Sequence, residues 1–112
     1  MNQKQFDASI EACHACAAAC GECADACLRE DDVKIMAHCI ALDIDCAQIC
    51  QAAAGFMARG SQFARPLCQL CADVCDACAQ ECAGHQAAHC QACAQACRRC
   101  AEECRRMVAM TV

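Results

Sequence analysis

Residues suited to a buried face recur along this chain at alternating steps of three and four. Cys13, Cys16, Cys20, Cys23 and Cys27 follow that rhythm. Cys68, Cys71, Cys75, Cys78 and Cys82 repeat it, as do Cys90, Cys93, Cys97, Cys100 and Cys104. A fourth set, Cys39, Cys46 and Cys50, has Asp43 where its missing cysteine would fall. A three-four alternation is the a/d seam of helical heptads. At about 100° per residue, each five-cysteine set stays within an arc of about 80° on a helix. On a strand the same residues would scatter over both faces.

The residues between the seams agree with helix. Alanine, the strongest helix former, is abundant, and Glu, Gln, Asp and Arg fill the remaining faces. Boundary signals divide the pattern into four helices, at about 6–28, 32–58, 64–83 and 86–108. The first should end at the charged run Arg29-Glu30-Asp31-Asp32. Asp31 or Asp32 can cap the second, and Gly60 follows its end. Ser61 is a candidate cap for the third, with Pro66 placed in its first turn. Gly84 ends it, and the fourth helix follows at once. Connections this short predict antiparallel neighbours, hence an all-α, up-down-up-down four-helix bundle. Its cysteine seams then point to one axis, and Cys68 to Cys82 alone spans about 21 Å of it.

Composition sharpens this. At 112 residues the chain predicts one domain, residues 1–112, with a modest core. Eighteen cysteines stand against three Phe and no Trp or Tyr, so cysteine must fill the interior or do chemistry there. The net charge of −5, nine scattered Lys and Arg, and few aromatics argue against nucleic-acid binding. No apolar run is long enough for a membrane span. The start, Met1 to Asp7, has neither an apolar h-region nor a twin arginine, which predicts a cytoplasmic protein. In a reducing compartment a cysteine-rich chain binds metal more often than it forms disulfides.

Several chemistries compete for the thiols. One or two cysteines could be small core residues, but eighteen on inward seams would fill space poorly and invite oxidation. The CxxxCxxC spacing of radical enzymes appears three times, yet heptad spacing generates it automatically, and such a motif belongs on a loop at a barrel mouth. Zinc needs four thiolates per ion, so about four ions would fit. Eighteen thiolates would then leave a charge of about −10 in a poorly solvated core, which is costly. Partial protonation keeps zinc open as an alternative. Cu(I) is soft, prefers thiolate and accepts two or three ligands. If every thiolate bridges two ions, the ratio approaches one Cu(I) per cysteine and the loaded core is near neutral. Cysteines three or four apart on a helix already lie side by side for this. The chain thus reads as a non-catalytic binder of multiple Cu(I) ions.

The pattern resembles a known family. Helices with CxxC-x3-CxxC-x3-C, the Cys46-x3-Cys50 segment after Asp43, and the Glu81-Cys82…His85…His89-Cys90 junction resemble the bacterial copper storage proteins. The likeness covers the chain from about Cys13 to Cys104. It implies a four-helix bundle that assembles into a homotetramer and stores many Cu(I) ions on core cysteines. One branch of that family is exported by a twin-arginine signal and another is cytosolic; lacking a leader, this chain resembles the second.

Antiparallel topology gathers Cys27, Met36, Cys39, Cys82, His85, His89 and Cys90 at one end. Phe6, Ile10, Met57, Phe63, Leu67 and Met107 collect at the other as an apolar plug. Copper is therefore expected to arrive at the His/Met end. Met36 can face inward as a thioether ligand or serve as core filler. His85 and His89, at a loop and first turn, are ligands or solvated side chains. His14 and His38 lie well off their seams. Asp43 sits in its seam, where an unpaired carboxylate is costly. It either ligates or steers metal, or it bonds a neighbouring helix. The rival from another class is a thiol-redox protein using its CxxC pairs. Such enzymes carry one accessible CxxC at a helix N-terminus in a thioredoxin-like context, which this chain lacks.

Overall fold

In a computed structural model, which describes residues 6–110, the chain forms four helices. They are α1 (Asp7–Leu28), α2 (Ala37–Ala58), α3 (Ala64–Ala83) and α4 (Ala88–Ala109), with a 3-10 turn at Val33–Met36 ahead of α2. The leader reading of residues 1–5 lies outside the described residues. Each helix packs against its two neighbours, α1 on α2 and α4, and α3 on α2 and α4. The result is an antiparallel up-down-up-down ring around one axis, 49 Å long and 18 Å across. No helix among the described residues is long and apolar enough to cross a membrane.

The seams determine which side of each helix is buried. In α1 the buried set is Cys13, Cys16, Cys20, Cys23 and Cys27 with Ser9, Ala12 and Ala17. In α3 and α4 the five cysteines of each seam are likewise interleaved with buried alanines. Alanine beside the seam lets the backbones approach closely enough for short thiol side chains to meet. The buried Ser9 hydroxyl donates to the Glu103 carbonyl at 2.9 Å, fastening the start of α1 to α4.

The connections differ in detail from the sequence reading. Neither Asp31 nor Asp32 caps a helix. Asp32 precedes the 3-10 turn but its side chain makes no cap bond, because the extra turn separates it from α2. Ser61 does not occupy the cap position of α3, which Phe63 takes. It still organises the turn: its Oγ accepts the Phe63 N–H at 3.0 Å and its carbonyl accepts the Ala64 N–H at 3.1 Å. Pro66 lies in the first turn of α3, where no intrahelical partner for its missing N–H is needed. Gly60 ends α2 with φ of 64°, the left-handed conformation of a Schellman cap. Its N–H reaches the Met57 carbonyl and that of Ser61 reaches Phe56, each at 3.0 Å.

At the end holding the N-terminus of α1, Phe6, Met57 and Met107 are buried, and Ile10 and Leu67 pack against them. Phe63 does not join this plug: it is 59% exposed. It sits in the turn, and Ala64 is the residue that faces inward.

Candidate metal centre

All eighteen cysteines are fully buried and reduced. Their sulfurs form a ladder along the axis. From the plugged end, Cys13 meets Cys104 at 3.7 Å and Cys100 at 3.6 Å. Cys100 meets Cys50 at 3.8 Å, and Cys50 meets Cys71 and Cys75 at 3.7 Å. At mid-height Cys16 lies 3.6 Å from both Cys46 and Cys97. Cys20 follows at 3.7 Å from Cys97 and from Cys93. Nearer the other end, Cys39 and Cys82 approach to 3.4 Å, and Cys27 lies 3.8 Å from Cys23 and Cys90.

Quartets of sulfurs within 4.8 Å of one another recur along the ladder. Cys13, Cys71, Cys100 and Cys104 make one, and Cys23, Cys27, Cys39 and Cys90 another. Between them, Cys16, Cys46, Cys50 and Cys75 share two members with Cys16, Cys20, Cys46 and Cys97. That quartet in turn shares Cys20 and Cys97 with Cys20, Cys78, Cys93 and Cys97. Three quartets thus draw twelve ligand positions from eight cysteines. The outer two of these three quartets share no cysteine and suit separate tetrahedral ions; filling the middle one as well requires thiolates that bridge two ions. A metal–sulfur bond of about 2.3 Å on each side spans up to about 4.6 Å, so a single ion can join any two adjacent sulfurs of the ladder.

The electrostatics point the same way. The buried polar or charged residues among those described are Ser9 and Asp43, so no Lys, Arg or His offers the core a positive charge. Burial pushes the Cys23, Cys39 and Cys90 thiols up, Cys90 to about 11. Without metal these thiols are neutral, and each must lose its proton to a cation that replaces it.

Asp43 is fully buried inside the ladder. Its Oδ1 accepts from Cys78 and Cys93 at 3.2 Å and from Cys82 at 3.5 Å, and its Oδ2 faces Cys39 at 3.9 Å. Of the two sequence alternatives, the bonds to neighbouring helices are present, and their partners are thiols rather than a cation. Burial pushes its carboxyl up to about 7.

Met36, the last residue of the 3-10 turn, is buried in the same core. His85 and His89 stand at the α3–α4 connection and the first turn of α4, with side chains 16% and 24% exposed. Each faces a carboxylate. His85 Nε2 lies 2.7 Å from Glu81, and His89 Nε2 lies 3.6 Å from Glu30 without a hydrogen-bond partner. His14 and His38 are exposed. Neither Glu30 nor Glu81 is among the site candidates read from the sequence, although Glu81 stands in the junction motif. Glu81 can be found from its i, i+4 spacing to His85; Glu30 reaches His89 only through the fold.

The likeness to known proteins is extensive. A family model described as copper storage protein matches residues 2–109. An uncharacterised cysteine-rich protein of Bacillus subtilis is 48% identical over 83 residues, 74% of this chain and 77% of that protein. The Cu(I)-bound copper storage protein 3 of the same organism superposes with a TM-score of 0.90 at 48% identity, covering 94% of this chain and 99% of the other. A cytosolic copper storage protein from Streptomyces lividans, holding five coppers, gives a TM-score of 0.94 at 40% identity over 98% and 97% of the two chains. A family match over residues 2–109 and near-complete structural overlap with solved copper storage proteins lead to one conclusion: the chain belongs to the copper storage protein family.

Proposed function

We propose that this protein stores Cu(I) in the cytosol, with all eighteen cysteines as ligands and no catalytic turnover. The four helices act as one metal-binding unit. The unbroken, uncompensated sulfur ladder carries the reading: four separate tetrahedral ions would leave its thiolates far from neutral, whereas bridging thiolates with about one soft, low-coordinate monovalent cation each fill and neutralise it, and the core holds no other positive charge. Met36, Asp43, His85 and His89 serve the loading end, where a thioether, a carboxylate or an imidazole passes Cu(I) to the first thiolates. Burial of every CxxC cysteine argues against the thiol-redox alternative, which needs an exposed nucleophilic thiolate.

Anaerobic titration of the reduced protein with Cu(I) against a coloured chelator tests this. The expected endpoint is about one Cu(I) per cysteine, with about one proton released per ion and unchanged helical circular dichroism. An endpoint near four equivalents, matched by Zn(II) under the same conditions, would replace the Cu(I) reading with four-thiolate zinc sites.

The homotetramer that the family resemblance implies also belongs to this reading. Exposed Leu28, Ile35, Ile44, Phe63 and Leu70 supply apolar surface for such an assembly. Light scattering at micromolar concentration should give a mass four times 11.9 kDa; a monomer mass would remove the tetramer and leave the storage reading intact.

A further inference from the structure

We propose that Glu81 is a positioning residue for copper loading, holding His85 in the tautomer whose free lone pair is on Nδ1. This rests on the reading of His85 as a loading-end ligand. The His85 Nε2 to Glu81 Oε2 distance is 2.7 Å, a short and well-formed hydrogen bond. An ionised carboxylate only accepts, so Nε2 carries the proton. In a neutral imidazole the other nitrogen is then bare, and a bare nitrogen is what binds a metal. A carboxylate behind a metal-binding imidazole also raises its basicity and limits ring rotation.

The rest of the residue is pinned as well. The His85 N–H donates to the Cys82 carbonyl at 3.1 Å. The Gln91 side-chain amide donates to the His85 carbonyl at 2.6 Å and to that of Ala83 at 3.1 Å. With backbone and Nε2 both tied, the ring has little freedom left. Glu81 directly precedes Cys82, whose sulfur lies 3.4 Å from Cys39 and 3.5 Å from Asp43. The same helical turn therefore carries one of the outer thiols and the residue that orients the imidazole. The other Glu81 oxygen faces His38 Nε2 at 4.0 Å, beyond hydrogen-bond length, and His38 is 72% exposed. The carboxylate is thus committed to His85.

The test combines nitrogen NMR of the reduced, metal-free protein with the rate at which it takes Cu(I) from a coloured chelate. In the wild type, His85 should show a protonated Nε2 and a bare Nδ1. Glu81→Ala should give a mixture of tautomers and slow the first phase of uptake by about tenfold, the lower end for loss of such a partner. Its final Cu(I) content should be unchanged. Glu81→Gln, whose amide oxygen still accepts the Nε2 proton, should recover most of the rate. In a His85→Ala background, Glu81→Ala should have no further effect. A proton on Nδ1 in the wild type, or a Glu81→Ala defect that persists without His85, overturns the proposal. If His85→Ala is slow while Glu81→Ala loads normally, the proposal alone fails. If His85→Ala itself loads at the wild-type rate, the loading-end reading of His85 fails with it.

Discussion

Filling the thiol ladder with Cu(I) should raise the thermal unfolding midpoint of the reduced protein by more than about 20 °C. The metal-free core is weak for physical reasons. Its buried residues are mostly Cys and Ala, and Met57 and Met107 are the largest fully buried side chains. Thiol–thiol contacts at 3.4 to 4.0 Å are poor substitutes for packed Leu and Phe. Cu(I) changes this because it binds the assembled ladder far better than an unfolded chain with scattered cysteines. One site held at a free concentration of 100 times Kd contributes about 2.7 kcal/mol. Two independent clusters at that saturation contribute about 5 kcal/mol, and for a domain near this size each 1 kcal/mol moves Tm by about 4–8 °C. Calorimetry of metal-free and loaded protein under argon measures the difference, and a strong Cu(I) chelator should reverse it. Cys16→Ala combined with Cys46→Ala removes the two thiols shared by neighbouring quartets and should lose much of the gain. A rise of only a few degrees at full loading would mean that the ions sit on the surface rather than in the ladder.

That core is legible in the amino-acid sequence alone, because the seam is a property of local periodicity. A three-four alternation specifies one helical face, four such faces need a common interior, and short connections leave one topology. The position of Asp43 in its seam is equally legible. Its partners are not. Bonds to Cys78, Cys82 and Cys93 depend on how far α2 slides along α3 and α4, which is decided by the packing of all four helices. The same limit explains the misplaced caps. Asp31 and Asp32 have the right chemistry, but a 3-10 turn separates them from α2. Phe63 has plug-like chemistry, yet the turn that Ser61 organises leaves it outside. The Glu81–His85 pair sits at helical spacing and is open to inspection, whereas His89 meets Glu30 only because the α1–α2 connection folds over the start of α4.

Asp43→Asn should stabilise the metal-free protein at pH 8 and leave it nearly unchanged at pH 4. The carboxyl is fully buried, and burial pushes it up to about 7 from an ordinary 3.8. A group whose folded pKa is raised favours the folded state fully below 3.8, and that contribution is lost as pH rises through about 7. Over this interval, at about 1.4 kcal/mol per pH unit, the loss is on the order of 4 kcal/mol. Asparagine does not titrate, so the stability difference between variant and wild type should open by that amount between pH 4 and 8. Urea unfolding of both proteins in reductant measures it, and a difference independent of pH would mean that Asp43 is not held neutral. Copper should reverse the ranking. An ionised Asp43 among Cys39, Cys78, Cys82 and Cys93 is a cost while the ladder is empty of cations, and an asset once a cation stands beside it. The variant should therefore gain less stability from Cu(I) than the wild type does. Those two outcomes together would mark Asp43 as a residue placed for the ion rather than for the bundle.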